Sequence, residues 1–109
     1  MSLKSLTAES FREAVGGPQL TLVDFTAAWC PPCKTLKPIL EQLADETEDA
    51  AVYQVDVDDQ QELASAFGVM SLPTVFVFRA GEPLEKLVGL RPKQAYEAVI
   101  RKHAPRTVS

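Results

Sequence analysis

The chain has 109 residues, 46% hydrophobic and 24% charged, and a formal net charge of −4. That length suits one domain able to bury about 60–70% of its unfolded surface, and the acidic balance gives no general basis for attraction to nucleic acid or anionic membrane. The longest apolar run, Leu72 to Phe78, is broken by Pro73 and is far shorter than the roughly 20 residues a spanning helix needs, so no membrane association is expected.

No repeat or low-complexity segment interrupts the chain. Its N-terminus, MSLKSLTAES, has no long apolar region of the kind a secretory signal requires, which makes a cytoplasmic location the default expectation. After a short first strand, Thr7 is a candidate N-cap for a helix through about Val15, which Gly16-Gly17-Pro18 stops. Leu20 to Phe25 is nearly all apolar, the pattern of a central strand buried on both faces.

From Cys33 to about Asp49, the residues Leu36, Ile39, Leu40, Leu43 and Ala44 recur at helical spacing, and Pro38 should kink the helix they form. Ala51 to Val57 reads as the next strand. Asp59 is expected to cap a short helix to Phe67, with Glu62 completing an acidic capping box. Pro73 to Phe78 and Leu84 to Val88 form a hairpin around Ala80-Gly81. A last helix starts with Pro92 at its first position and runs to about His103. The alternation argues for an α/β sheet layered by helices, with one domain over residues 1–104 and a disordered tail over 105–109.

Both cysteines fall in FTAAWCPPCK, from Phe25 to Lys34. A structural zinc site needs four protein ligands and a catalytic one usually three, but the soft ligands here are Cys30, Cys33 and a distant His103. Only a cluster shared between subunits would change that reading, and no metal is expected. A permanent disulfide between residues so close would constrain the unfolded chain little. Redox exchange is the reading the geometry favours. With Cys30 at the N-cap of a helix and Cys33 in its first turn, their Cα atoms lie about 5 Å apart, inside the disulfide window. Pro31 then occupies N1, where the amide is unpartnered in any helix. Pro32 removes the N2 donor, which leaves the Cys33 amide as the main local donor to a Cys30 thiolate.

LVDFTAAWCPPCK, followed by SLPT and VGL, resembles the thioredoxin family, and the likeness runs from Leu6 to about His103. It implies the thioredoxin fold, a mixed five-stranded sheet flanked by four helices. It also implies a protein-disulfide reductase in which Cys30 is the exposed nucleophile, Cys33 the buried resolving thiol and Asp24 the buried carboxylate beside them. Pro73 matches the family's cis-proline, and Trp29, Pro31, Pro32, Leu72, Pro73 and Gly89 would line the substrate groove. Leu72 would offer its backbone to an extended substrate in the manner of an added strand. The implied partners are disulfide-containing proteins and an NADPH-dependent, flavin-containing thioredoxin reductase. The chain has no nucleotide-binding motif of its own, needs no cofactor on this reading, and is expected to be monomeric.

Taken from the residues alone, Asp24 sits in an apolar strand, where burial raises a carboxyl's pKa and suits it to pass a proton to or from Cys33. The alternatives are an aspartate bonded to backbone at a strand end, and an ordinary trans proline at Pro73. Trp29 has a plain core reading as well, and His103 reads as a helix-end residue favoured by the dipole. Three positions depart from the family pattern. Pro31 replaces the usual glycine, giving the CPPC also seen in the thioredoxin-like tryparedoxins; Thr26 stands where many members carry tryptophan; and Gln54 takes the place of a lysine near the buried carboxylate. A specialised reductase serving one partner and a binding module that holds partners without turnover remain the competing readings.

Overall fold

The structure is a computed structural model that describes residues 3–104. The expected tail, residues 105–109, lies outside the described residues. In chain order the elements are β1 (Lys4–Ser5), α1 (Ala8–Gly16), β2 (Leu20–Thr26), α2 (Pro31–Glu46), β3 (Ala50–Asp56), α3 (Gln61–Ala66), β4 (Thr74–Arg79), β5 (Glu82–Val88) and α4 (Lys93–His103). The strands form one five-stranded sheet in the order β1-β3-β2-β4-β5. The pairs β1/β3 and β3/β2 are parallel, and β2/β4 and β4/β5 are antiparallel, so the sheet is mixed.

Strand alternation sorts the apolar residues into two layers. From β2 and β4, Leu20, Leu22, Val75 and Val77 pack with Leu36, Leu40 and Leu43 of α2 and with Tyr96 and Ile100 of α4. Their neighbours Val23, Phe25, Phe76 and Phe78 face the opposite way, toward Phe11 and Val15 of α1 and Ala64 of α3. All five phenylalanines of the chain meet in that second layer, and Phe11 and Phe78 meet edge to face with centroids 5.4 Å apart. β2 is buried along almost its whole length, as its composition required.

Local chemistry explains most boundaries. At α1 the Thr7 hydroxyl accepts the Ser10 N–H and the Ser10 hydroxyl accepts the Thr7 N–H, a reciprocal cap. Thr7→Ala is expected to destabilise the protein by about 1 kcal/mol, read as a fall in Tm of about 4–8 °C. Ala80 and Gly81, both at positive φ, turn the β4–β5 hairpin and donate to the carbonyls of Gly17 and Val15, which ties the end of α1 to the sheet.

Several expected boundaries are corrected. α2 runs unbroken through Pro38 but ends at Glu46 rather than near Asp49, because the Thr47 hydroxyl accepts the Asp49 N–H and offers the backbone a turn in place of the helix. Asp59 does not cap α3. Asp56 Oδ1 takes the N–H groups of Asp58 and Asp59, so the chain turns one residue further and Gln60 becomes the cap without a side-chain bond of its own. The Gln60 side chain accepts from the Ala8 N–H at the start of α1 instead. β5 begins at Glu82, ahead of the expected Leu84, because Pro83 fits a register shift opposite Phe78 on an edge strand. Pro92 is the N-cap of α4, one position before the place expected for it. His103 does more than sit at a helix end: its ring pairs with Glu85, while Arg79 donates to its carbonyl, so the last turn of α4 is fastened to the hairpin.

Candidate active site

The β2–α2 connection delivers both cysteines to the mouth of a helix. Cys30 is the N-cap of α2, and Pro31 and Pro32 are its first two residues. The Cys33 N–H donates to the Cys30 sulfur at 3.3 Å, the contact the proline placement required. The two cysteines are joined in a disulfide with Cα atoms 5.3 Å apart. This settles the local geometry from the backbone upward. The prolines supply no amides to compete, and the helix begins at the fixed φ of Pro31.

The expectation of an exposed Cys30 is corrected. In the disulfide form Cys30 is 3% exposed and Cys33 2%, because Ala27, Val57 and Leu72 close around the bond. Trp29, by contrast, is 65% exposed and is no core residue; its indole N–H donates to Asp58 Oδ2 at 2.8 Å. The sequence does not mark Asp58 for this contact. Its only signal there was an acidic run after β3, which reads as solvated turn.

The Leu72–Pro73 peptide bond is cis, which removes the trans alternative. Gly89, at φ 86°, donates its N–H to the Pro73 carbonyl at 2.7 Å and so ties the end of β5 to the cis-proline segment. The positive φ accounts for glycine there, since a side chain would be strained in that conformation. Leu72 therefore packs on the disulfide directly, Gly89 is bonded to the Pro73 that follows Leu72, and Trp29 immediately precedes Cys30 in the loop before α2.

Asp24 lies deeper, in the middle of β2 and 1% exposed, opposite Gln54 of β3 and Val75 of β4. Its Oδ1 has no hydrogen-bond partner among the described residues, which rules out the alternative of a backbone-satisfied aspartate for that oxygen. Burial pushes its pKa up to about 7. Gln54 occupies the neighbouring register position and spends its amide on the Ser5 hydroxyl, 2.9 Å away, so it brings no charge to Asp24. A cleft of about 300 Å³ reaches Cys33 from this side, lined also by Lys34, Lys37, Gln54 and Asp56. Among the described residues no group of three or more His, Cys, Asp or Glu side chains is placed to hold a metal.

Residues 2–102 match the family model described as Thioredoxin. The chain belongs to the thioredoxin family. It is 42% identical over 95 residues to a thioredoxin of Alicyclobacillus acidocaldarius, covering 86% of this chain and 90% of that one. It is 41% identical over 104 residues to a thioredoxin of Bacillus subtilis, covering 94% and 99%. A solved variant thioredoxin from Halobacterium salinarum superposes with a TM-score of 0.90 at 36% identity, over 98% of this chain and 95% of that one. Family, fold and a cysteine pair at bonding distance together make this a thiol–disulfide oxidoreductase that works by dithiol–disulfide exchange at Cys30 and Cys33. Disulfide-bearing substrates and a thioredoxin reductase are the general partners that membership in the thioredoxin family implies. No described helix is long and apolar enough to cross a membrane.

Proposed function

We propose that the chain is a monomeric, cytoplasmic reductase of many protein disulfides, in which Cys30 attacks, Cys33 resolves and Asp24 carries the proton. The observation that carries this reading is the Cys33 amide aimed at the Cys30 sulfur at the start of α2. After reduction, that amide and the positive end of the helix favour a Cys30 thiolate. The thiolate attacks one sulfur of a substrate disulfide, forms a mixed disulfide and expels the other substrate sulfur as a thiolate. Cys33 gives its proton through water to the Asp24 carboxylate, and its thiolate attacks the Cys30 sulfur. The mixed disulfide breaks, the second substrate sulfur leaves, and Cys30–Cys33 is restored as a disulfide. Two electrons have passed to the substrate, and an NADPH-dependent flavin reductase returns two to the protein.

The raised Asp24 pKa supports its part, since a carboxyl titrating near neutrality both accepts and returns a proton in the working pH range. The exposed Trp29, together with Pro31, Pro32, Leu72, Pro73 and Gly89, forms the surface on which an extended substrate segment would lie, paired to the backbone of Leu72.

Capture of partners tests the breadth of this activity. Cys33→Ser leaves the attacking thiolate but removes the resolving one, so mixed disulfides accumulate. Several different proteins are expected in the trapped set, and each is released by dithiothreitol. A trapped set of one protein would instead assign a specialist reductase. A wild-type protein that fails to accelerate insulin reduction by dithiothreitol would leave only the binding module.

A further inference from the structure

Two buried polar atoms have no partner among the described residues: Asp24 Oδ1 and the Tyr96 hydroxyl. A buried acceptor and a buried donor left unpaired each carry a desolvation cost, and native interiors rarely tolerate one, let alone two in the same layer. The fold puts them in the same layer. Leu20, Leu22 and Asp24 alternate onto one face of β2, and Leu20 and Leu22 pack against the cluster that holds Tyr96. Val75, directly across from Asp24 on β4, belongs to that cluster too. Tyr96 is fully buried and is the largest of the completely enclosed side chains.

The electrostatics agree with this placement. Burial raises the Tyr96 phenol above its ordinary value, the nearby Arg91 backbone opposes that rise without completing a hydrogen bond to the hydroxyl, and the Asp24 charge adds to it. No cation competes for Asp24, whose own shift comes from burial. Among the charged groups on the elements packed here, Lys34 and Lys37 of α2 and Asp56 of β3 line the cleft beside Cys33, and Arg91 lies just ahead of α4. β4 and β5 present only Val75 and Leu87 in the same row.

We propose that Tyr96 is the positioning partner of Asp24, its hydroxyl donating to Oδ1 through one bridging water, so that the two form a single buried pair between the sheet and α4. The phenol fixes the orientation of the carboxyl and holds its ionised form within reach. This inference builds on the reading of Asp24 as proton carrier, but it is tested separately.

Tyr96→Phe removes the hydroxyl and keeps the ring. Carbon-13 NMR of the Asp24 carboxyl then reads the pair directly. The midpoint is expected to rise by about one pH unit, because the lost donor favoured the carboxylate. At pH 8, where Asp24 is ionised, Tm should fall by about 4–8 °C. An unmoved midpoint overturns the pair, and so does a higher Tm, since an unpartnered hydroxyl is better absent from a core. The proton-carrier reading fails by a different result: an Asp24→Asn protein whose insulin reduction follows the wild-type pH profile. A raised Asp24 midpoint in Tyr96→Phe supports the pair whichever way that second experiment falls, and a lowered one overturns it.

Discussion

Cys30→Ser is expected to reduce insulin disulfides no faster than dithiothreitol alone. The fold should survive the change. A serine oxygen is a better N-cap than sulfur and takes the Cys33 N–H, so α2 keeps its cap, and the lost disulfide closed too short a loop to matter much for stability. What disappears is the nucleophile. A hydroxyl at the same point stays protonated at neutral pH, and the thiolate is the species that attacks a disulfide. The matching measurement on the reduced wild type is alkylation across pH, in which Cys30 should react with a midpoint below that of a free cysteine. A midpoint equal to the free thiol would mean that the Cys33 amide and the helix terminus do not stabilise the anion, and the mechanism built on them would fall.

Asp24→Asn should produce the largest change in stability, and the change should depend on pH. Below the ordinary carboxyl value of 3.8, Asp24 is protonated in both folded and unfolded chains and costs nothing extra. Between 3.8 and about 7 the unfolded chain ionises while the folded chain keeps its proton, so stability declines as pH rises. Above about 7 both states are ionised and the penalty levels off at on the order of 4 kcal/mol. Asparagine has nothing to titrate. The stability gap between variant and wild type, taken from urea unfolding at intervals from pH 4 to 9, should therefore widen in favour of the variant up to about pH 7 and then hold constant. Parallel curves over that range would show that Asp24 is not desolvated. The same substitution should slow the Cys33 step, so the protein becomes more stable and less active at once. That opposition is expected wherever burial tunes a group for chemistry.

Much of the site is legible in the sequence. The spacing of Cys30 and Cys33, with prolines at the only two positions between them, already fixed which helix position each sulfur takes and which amide faces the attacking one. Those relations are local, set by a single helical turn, and the chain carries them wherever it folds. The same holds for Thr7, Gly81 and the apolar run of β2, each of which acts through its immediate neighbours. The errors at Asp59 and Asp49 arose where two local motifs competed for the same amides. Asp56 and Thr47 prevailed there, and a linear reading could not rank them.

The rest was decided by contacts between residues far apart in the chain. The burial of the disulfide depends on Leu72 arriving from the segment before β4, and the restraint of Trp29 on Asp58 arriving after β3. Asp24 acquires its raised pKa only because strands on both sides and two helices shut water out, and Tyr96 shares its layer only because α4 returns across the sheet. The amino-acid order by itself determined the reactive pair, its helix cap and the strands that carry it, since those follow from backbone hydrogen bonding within a few residues. Tertiary structure alone decided the electrostatic surroundings of that pair, because desolvation is a property of everything packed around a group and not of its neighbours along the chain.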